Sequence, residues 1–150
     1  MTDRAVVSLG NPYRRDDGVG PALLEELARR DLPDVDLLDL GDATFELVHV
    51  LAAHDVVVIV DAVNFGGDPG EIAVFDPDSV ADATEGQRGA HDTNPFEVLA
   101  VTDRLAAAPD AVRIVGIQPA AVGFGEDLSP AVAEGLSEAT ETVVELLRTV

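Results

Sequence analysis

The run Val56-Val57-Val58-Ile59-Val60 constrains the fold of this chain more than any other stretch. Five consecutive β-branched residues favour a strand, and with no polar member in the run neither face can be given to water. Such a strand is covered on both sides, as in the middle of a parallel sheet. The rest of the sequence has the matching rhythm, in which short apolar runs alternate with segments of helical period. Ala5–Leu9, Val35–Leu40, Glu71–Phe75 and Val112–Ile117 read as further strands, the fourth in chain order lying at an edge.

Val19, Leu23 and Leu27 recur every four residues, predicting a helix to about Arg30 with Asp16 or Asp17 as its cap and Pro21 in its first turn. A short helix follows from Thr44 to about Ala53. Asn94-Pro95-Phe96-Glu97 combines a capping residue, a proline at the first helical position and a glutamate at the third, so a helix starts there with Val98, Val101 and Leu105 on one face. Ser129-Pro130 opens the last helix, with the apolar stripe Val132, Leu136, Ala139, Val143 and Leu146. The polar stretch Asp76–Asp92, with Gly86 and Gly89, reads as a mobile loop. The expected fold is α/β, a three-layer α/β/α domain spanning residues 1–150 around a five-stranded, mostly parallel sheet.

Composition removes several function classes. At 47% hydrophobic over 150 residues the chain has enough apolar material for one core. No apolar run reaches bilayer length and the N-terminus has no cleavage-site pattern, so a cytoplasmic protein away from membranes is expected. Without cysteine there is no thiolate metal site, disulfide or cysteine nucleophile. The formal charge is −20 and all nine basic residues are arginine, which disfavours a nucleic-acid partner. Such acidity without lysine resembles the solvated coat of proteins from a salt-rich cytoplasm, as in a halophile.

Chemistry in an open α/β sheet gathers beyond the carboxyl ends of the strands, where chain order reverses. The first strand empties into Gly10-Asn11-Pro12-Tyr13-Arg14-Arg15-Asp16-Asp17-Gly18-Val19-Gly20, and the central strand into Asp61-Ala62-Val63-Asn64-Phe65-Gly66-Gly67. If these strands are neighbours, Asp17 and Asp61 face each other. His91, ahead of the Asn94 helix, is a third candidate. Two carboxylates and an imidazole suit nickel, zinc or a similar divalent ion. Aspartates in such places are also common as caps, and a loop histidine alone carries little weight. His49 and His54 are expected to be solvated or packed at an edge, outside the site. Gly10, Gly18 and Gly20 miss the dinucleotide spacing, there is no P-loop lysine, and no serine sits in a nucleophile elbow. Arg14 and Arg15 leave a flavodoxin-like nucleotide-binding reading open.

Taken together, the segments resemble the hydrogenase maturation proteases over nearly the whole chain. Gly10-Asn11 through Gly20 is similar to the family's glycine–asparagine loop with its acidic pair, and Val58–Val63 to its hydrophobic strand ending in Asp-Ala. His91 stands where the metal-binding histidine falls. Gly116-Ile117-Gln118-Pro119 and Leu128-Ser129-Pro130 resemble the fifth strand and the start of the final helix. The residues Asp92-Thr93-Asn94-Pro95 after His91 depart from the family's glycine- or leucine-rich helix start. The resemblance implies an endopeptidase that trims the C-terminal tail of a hydrogenase large-subunit precursor, and a monomer is expected. Asp17, Asp61 and His91 would serve as catalytic and metal-binding residues toward nickel supplied by the substrate, or toward another divalent metal. A non-enzymatic nickel- or partner-binding maturation module is the alternative.

Overall fold

The computed structural model describes residues 3–41, 44–75, 111–120, 123–125 and 127–149. Within them the chain runs β1 (Arg4–Leu9), a 3-10 turn (Arg15–Gly18), α1 (Val19–Ala28), β2 (Val35–Gly41), α2 (Thr44–Ala53) and β3 (Val56–Ala62). Then come β4 (Ile72–Phe75), β5 (Ala111–Ile117) and α3 (Pro130–Thr149). The five strands form one sheet in the order β2-β1-β3-β5-β4. All neighbours are parallel except β4, which pairs antiparallel with β5 at the edge. The Val56–Val60 run is thus the middle strand, and from Val57 to Val60 it is sealed from solvent.

Strand alternation divides the apolar residues into two cores. Val57 and Ile59 join Ala5, Val7 and Leu9 against Leu47, Val50 and Leu51 of α2. Val58 and Val60 join Val6, Val115 and Ile117 against α1 and α3, which contribute Leu23, Leu27, Val132 and Val143 among others. Each such side chain contributes about 2 kcal/mol by leaving water. Cores on both faces of the sheet make the three layers that the sequence predicts.

The α3 stripe appears as expected at Val132, Ala139 and Val143, joined by Val144 and Leu147, while Leu136 and Leu146 are partly buried. Gly135 interrupts this helix for a steric reason: a Cβ there would lie 2.7 Å from the Gly70 carbonyl oxygen. Gly70, at φ 87°, would in turn push a Cβ to 2.4 Å from the Ala131 oxygen. Glycine on both sides lets the loop ahead of β4 rest on the backbone of α3.

One expectation is corrected. Neither Asp16 nor Asp17 caps α1: Gly18 holds the N-cap position, with no side-chain cap bond. Both carboxylates are drawn into longer-range bonds, described below. The loop expected over Asp76–Asp92 and the helix expected from Asn94 lie outside the described residues. Among those residues, no helix is long and apolar enough to cross a membrane.

His54, after α2, packs at the edge as predicted. Its Nδ1 lies 2.8 Å from the Val50 carbonyl and its Nε2 2.9 Å from an Asp36 oxygen. A carbonyl and a carboxylate only accept, so this pair of partners favours a hydrogen on each ring nitrogen, that is, the imidazolium form. Burial opposes that charge, but the bonds to Asp36 and Val50 and the nearby charges of Asp36 and Asp3 outweigh it. The histidine is therefore raised above its ordinary 6.5. A group whose pKa rises on folding stabilises the fold fully below its unfolded value and loses that contribution as pH climbs through the folded one. The gap in melting midpoint between wild type and Asp36→Asn is accordingly expected to be widest below about pH 6.5 and to close in alkali. Melting curves across that range check it, and a gap that grows with pH would refute the pairing.

Candidate active site

β1 and β3 are hydrogen-bonded neighbours, pairing Arg4 with Val56 through Ser8 with Val60. Their outgoing loops therefore leave the same edge of the sheet side by side, and Asp17 and Asp61 stand on these two loops. Asp61 is still within β3, in register with Gly116 of β5, while Asp17 lies on the 3-10 turn, which packs against β3.

Glycines bring the turn this close. Gly10 ends β1 at φ 110°, and a Cβ on it would fall 2.1 Å from the Asp17 carbonyl oxygen. Gly18 leaves room for Pro12, and Gly20 lies against the Leu9 and Val60 carbonyl oxygens at 2.7 and 3.0 Å from its would-be Cβ. The turn is thereby pressed onto the ends of both strands, with Arg15 taking the left-handed conformation at φ 52°.

The two neighbouring aspartates have different work. Asp16 is 0% exposed and accepts from Ala120 N–H at 2.8 Å, Ser129 N–H at 2.7 Å and Ser129 Oγ–H at 2.8 Å. It thus fastens the turn to the segment after β5 and to the start of α3. Asp17 is 1% exposed, and its Oδ2 accepts from the Asn11 N–H at 2.6 Å, which fixes the carboxylate against the first loop. Asp61 is 9% exposed, with Oδ1 accepting from the Ala62 N–H at 2.8 Å. Two sequestered carboxylates thus line adjoining strand ends, each oriented by a backbone amide.

A second joint holds the outer rim. Arg15 N–H donates to the Gly125 carbonyl and Gly125 N–H to the Tyr13 carbonyl, at 2.8 and 2.9 Å, with Tyr13 and Phe124 exposed beside it. The loop beyond Asp61 is organised by Gln118, which sequence reasoning placed in a family-like segment without assigning it a role. Its Oε1 accepts from Phe65 and Gly67 N–H, and its backbone pairs with Gly70 and Glu71. The available signal was an amide side chain directly after an apolar strand at the sheet's carboxyl edge.

His91 lies outside the described residues. Among the described residues no group of three or more histidine, aspartate or glutamate side chains is placed to hold a metal ion. His49 is exposed on α2 and His54 pairs with Asp36 near the opposite end of β2, so neither belongs to the rim.

The order of the sheet, the pressed acidic turn and the Asp-Ala strand end coincide with a match to the sequence model described as hydrogenase maturation protease, over residues 21–146. The chain belongs to this family. It is 31% identical over 147 residues to the hydrogenase expression/formation protein HupD of Rhizobium leguminosarum bv. viciae, covering 95% of this chain and 73% of that one. It is 30% identical over 151 residues to the hydrogenase 3 maturation protease of Escherichia coli K12, covering 98% and 89%. Among solved structures, the hydrogenase maturating endopeptidase HybD from E. coli superposes with a TM-score of 0.85 at 26% identity, over 97% of this chain and 92% of that chain. The hydrogenase maturation protease HycI from Thermococcus kodakarensis KOD1 gives 0.76 at 29%, over 98% and 94%. As a hydrogenase maturation endopeptidase the protein is an enzyme, which sets aside the binding-module and nucleotide-binding readings.

Proposed function

We propose that this protease removes the C-terminal tail of a nickel-loaded hydrogenase large-subunit precursor, recognising the substrate's nickel through Asp17, Asp61 and His91. The observation that carries the reading is the pair of sequestered carboxylates, one at the end of β3 and one on the turn packed against that strand, each held by a backbone N–H. Carboxylate and imidazole together form a borderline-hard donor set suited to a divalent first-row ion. Docking of the cargo nickel on these side chains would bring the scissile carbonyl to the rim. A carboxylate there takes a proton from water as the oxygen adds to the carbonyl carbon, and the proton then passes to the departing amide nitrogen. A precursor without nickel cannot complete the contact, so recognition doubles as a check on cargo.

The large negative charge without lysine supports a protein that works as a monomer in a salt-rich cytoplasm, where ions screen its self-repulsion. Titration with Cd²⁺ alone, followed through the histidine ring signals, tests the ligand set. The His91 ring is expected to shift while His49 and His54 stay still, and Asp17→Asn or Asp61→Asn should each weaken binding at least about tenfold. A response from His54 or His49 in place of His91 would remove this ligand set.

A further inference from the structure

We infer that Asn64 binds substrate: Gln118 locks its side-chain amide so that the Nδ2 hydrogens face the incoming polypeptide and donate to one of its backbone carbonyls. The inference rests on the endopeptidase reading of the rim. It follows from a chain of hydrogen bonds in which each atom's identity is forced by its neighbour.

Gln118 is 7% exposed, and one side-chain terminus receives two backbone N–H groups, Phe65 at 2.9 Å and Gly67 at 3.1 Å. Only oxygen can accept both, so the other terminus is the NH₂ group. That group donates to Asn64 Oδ1 at 3.1 Å and to the Pro119 carbonyl at 3.4 Å. Asn64 Oδ1 also receives the Gly66 N–H at 3.3 Å. With two donors converging on it, this atom is the oxygen, and the other terminus of this exposed side chain is the NH₂ group.

Its location gives the orientation a use. Asn64 is exposed, two residues beyond the end of β3 and three beyond Asp61, and the Val63 N–H bond to the Ile117 carbonyl at 3.1 Å keeps this stretch on the sheet's carboxyl edge. Asp17 and Asp61, when ionised, can only accept hydrogen bonds, whereas the carbonyls of a bound polypeptide need donors. Asn64 supplies two neutral donors on the loop that follows Asp61, and a neutral amide does so without competing with the carboxylates for a cation. Gln118 itself touches no substrate and acts as a positioning residue.

The test is steady-state cleavage of nickel-loaded precursor by wild type, Asn64→Asp, Asn64→Ala and Gln118→Glu, with melting curves for each. Asn64→Asp keeps an oxygen for Gly66 and Gln118 but loses both donors, so KM is expected to rise about fivefold with kcat nearly unchanged. Gln118→Glu keeps an acceptor for Phe65 and Gly67. Its second oxygen can only accept, so it turns the Asn64 amide inward, and the same rise in KM is expected. Asn64→Asp with a wild-type KM would overturn the role. So would a rise in Asn64→Ala alone, which would mean that the side chain merely holds the loop. Failure of wild type to cleave would remove the endopeptidase reading and this role with it, whereas cleavage by wild type with unchanged KM in Asn64→Asp removes the role alone.

Discussion

Asp61→Asn is expected to yield a folded protein that no longer processes its precursor. The substitution keeps an oxygen for the Ala62 N–H, now 2.8 Å from Oδ1, and leaves the register of β3 with β5 untouched. What it removes is the charge and the proton-accepting capacity at the strand end. Loss of a general base or anionic ligand slows a reaction by about a hundredfold or more. The melting midpoint should stay within about 4 °C of wild type, which corresponds to roughly 1 kcal/mol in a domain of this size. Appearance of the shortened large subunit, followed against time with nickel-loaded precursor, measures the effect. Processing at the wild-type rate would take Asp61 out of the chemistry.

Asp16→Ala should do the reverse of what its position beside Asp17 suggests, and collapse stability. Its carboxylate is wholly buried and receives three donors, from Ala120 N–H, Ser129 N–H and Ser129 Oγ–H. Removing it strands those donors out of reach of their acceptor. A buried, charge-assisted set of this kind costs about 3–5 kcal/mol to break. The melting midpoint should then fall by about 10 °C or more. Asp16→Asn should fall between, because its oxygen still accepts while its NH₂ group meets a donor. Thermal unfolding of the two variants checks the order, and an Asp16→Ala protein as stable as wild type would mean that the three bonds contribute nothing net.

The two substitutions also mark where sequence reasoning stops. Apolar periodicity placed β1, β3, β5 and α3 nearly to the residue, because burial on two faces leaves a run such as Val56–Val60 no other place than the middle of a sheet. Neighbouring β1 and β3 then brought Asp17 and Asp61 to one edge without any appeal to side-chain geometry. The division of labour within the acidic pair was not legible. Capping is a local rule, and it proposed one or other of the aspartates for α1, whereas Asp16 is claimed by partners 104 and 113 residues away. The role of Gln118 escaped for the same reason, since its partners Asn64, Phe65 and Gly67 stand more than 50 residues earlier in the chain. Long-range polar bonds leave no period in a sequence.

The seating of Asp16 has a consequence for the order in which the protein comes into being. A growing polypeptide that has reached β3 already contains both candidate acidic groups, yet the turn bearing one of them still lacks its fastening. Only when synthesis has passed Ser129 and α3 has started to form can the turn settle into place. Seating of the acidic turn is thus coupled to the docking of α3, and whatever loosens the start of that helix is transmitted to the loop that carries Asp17.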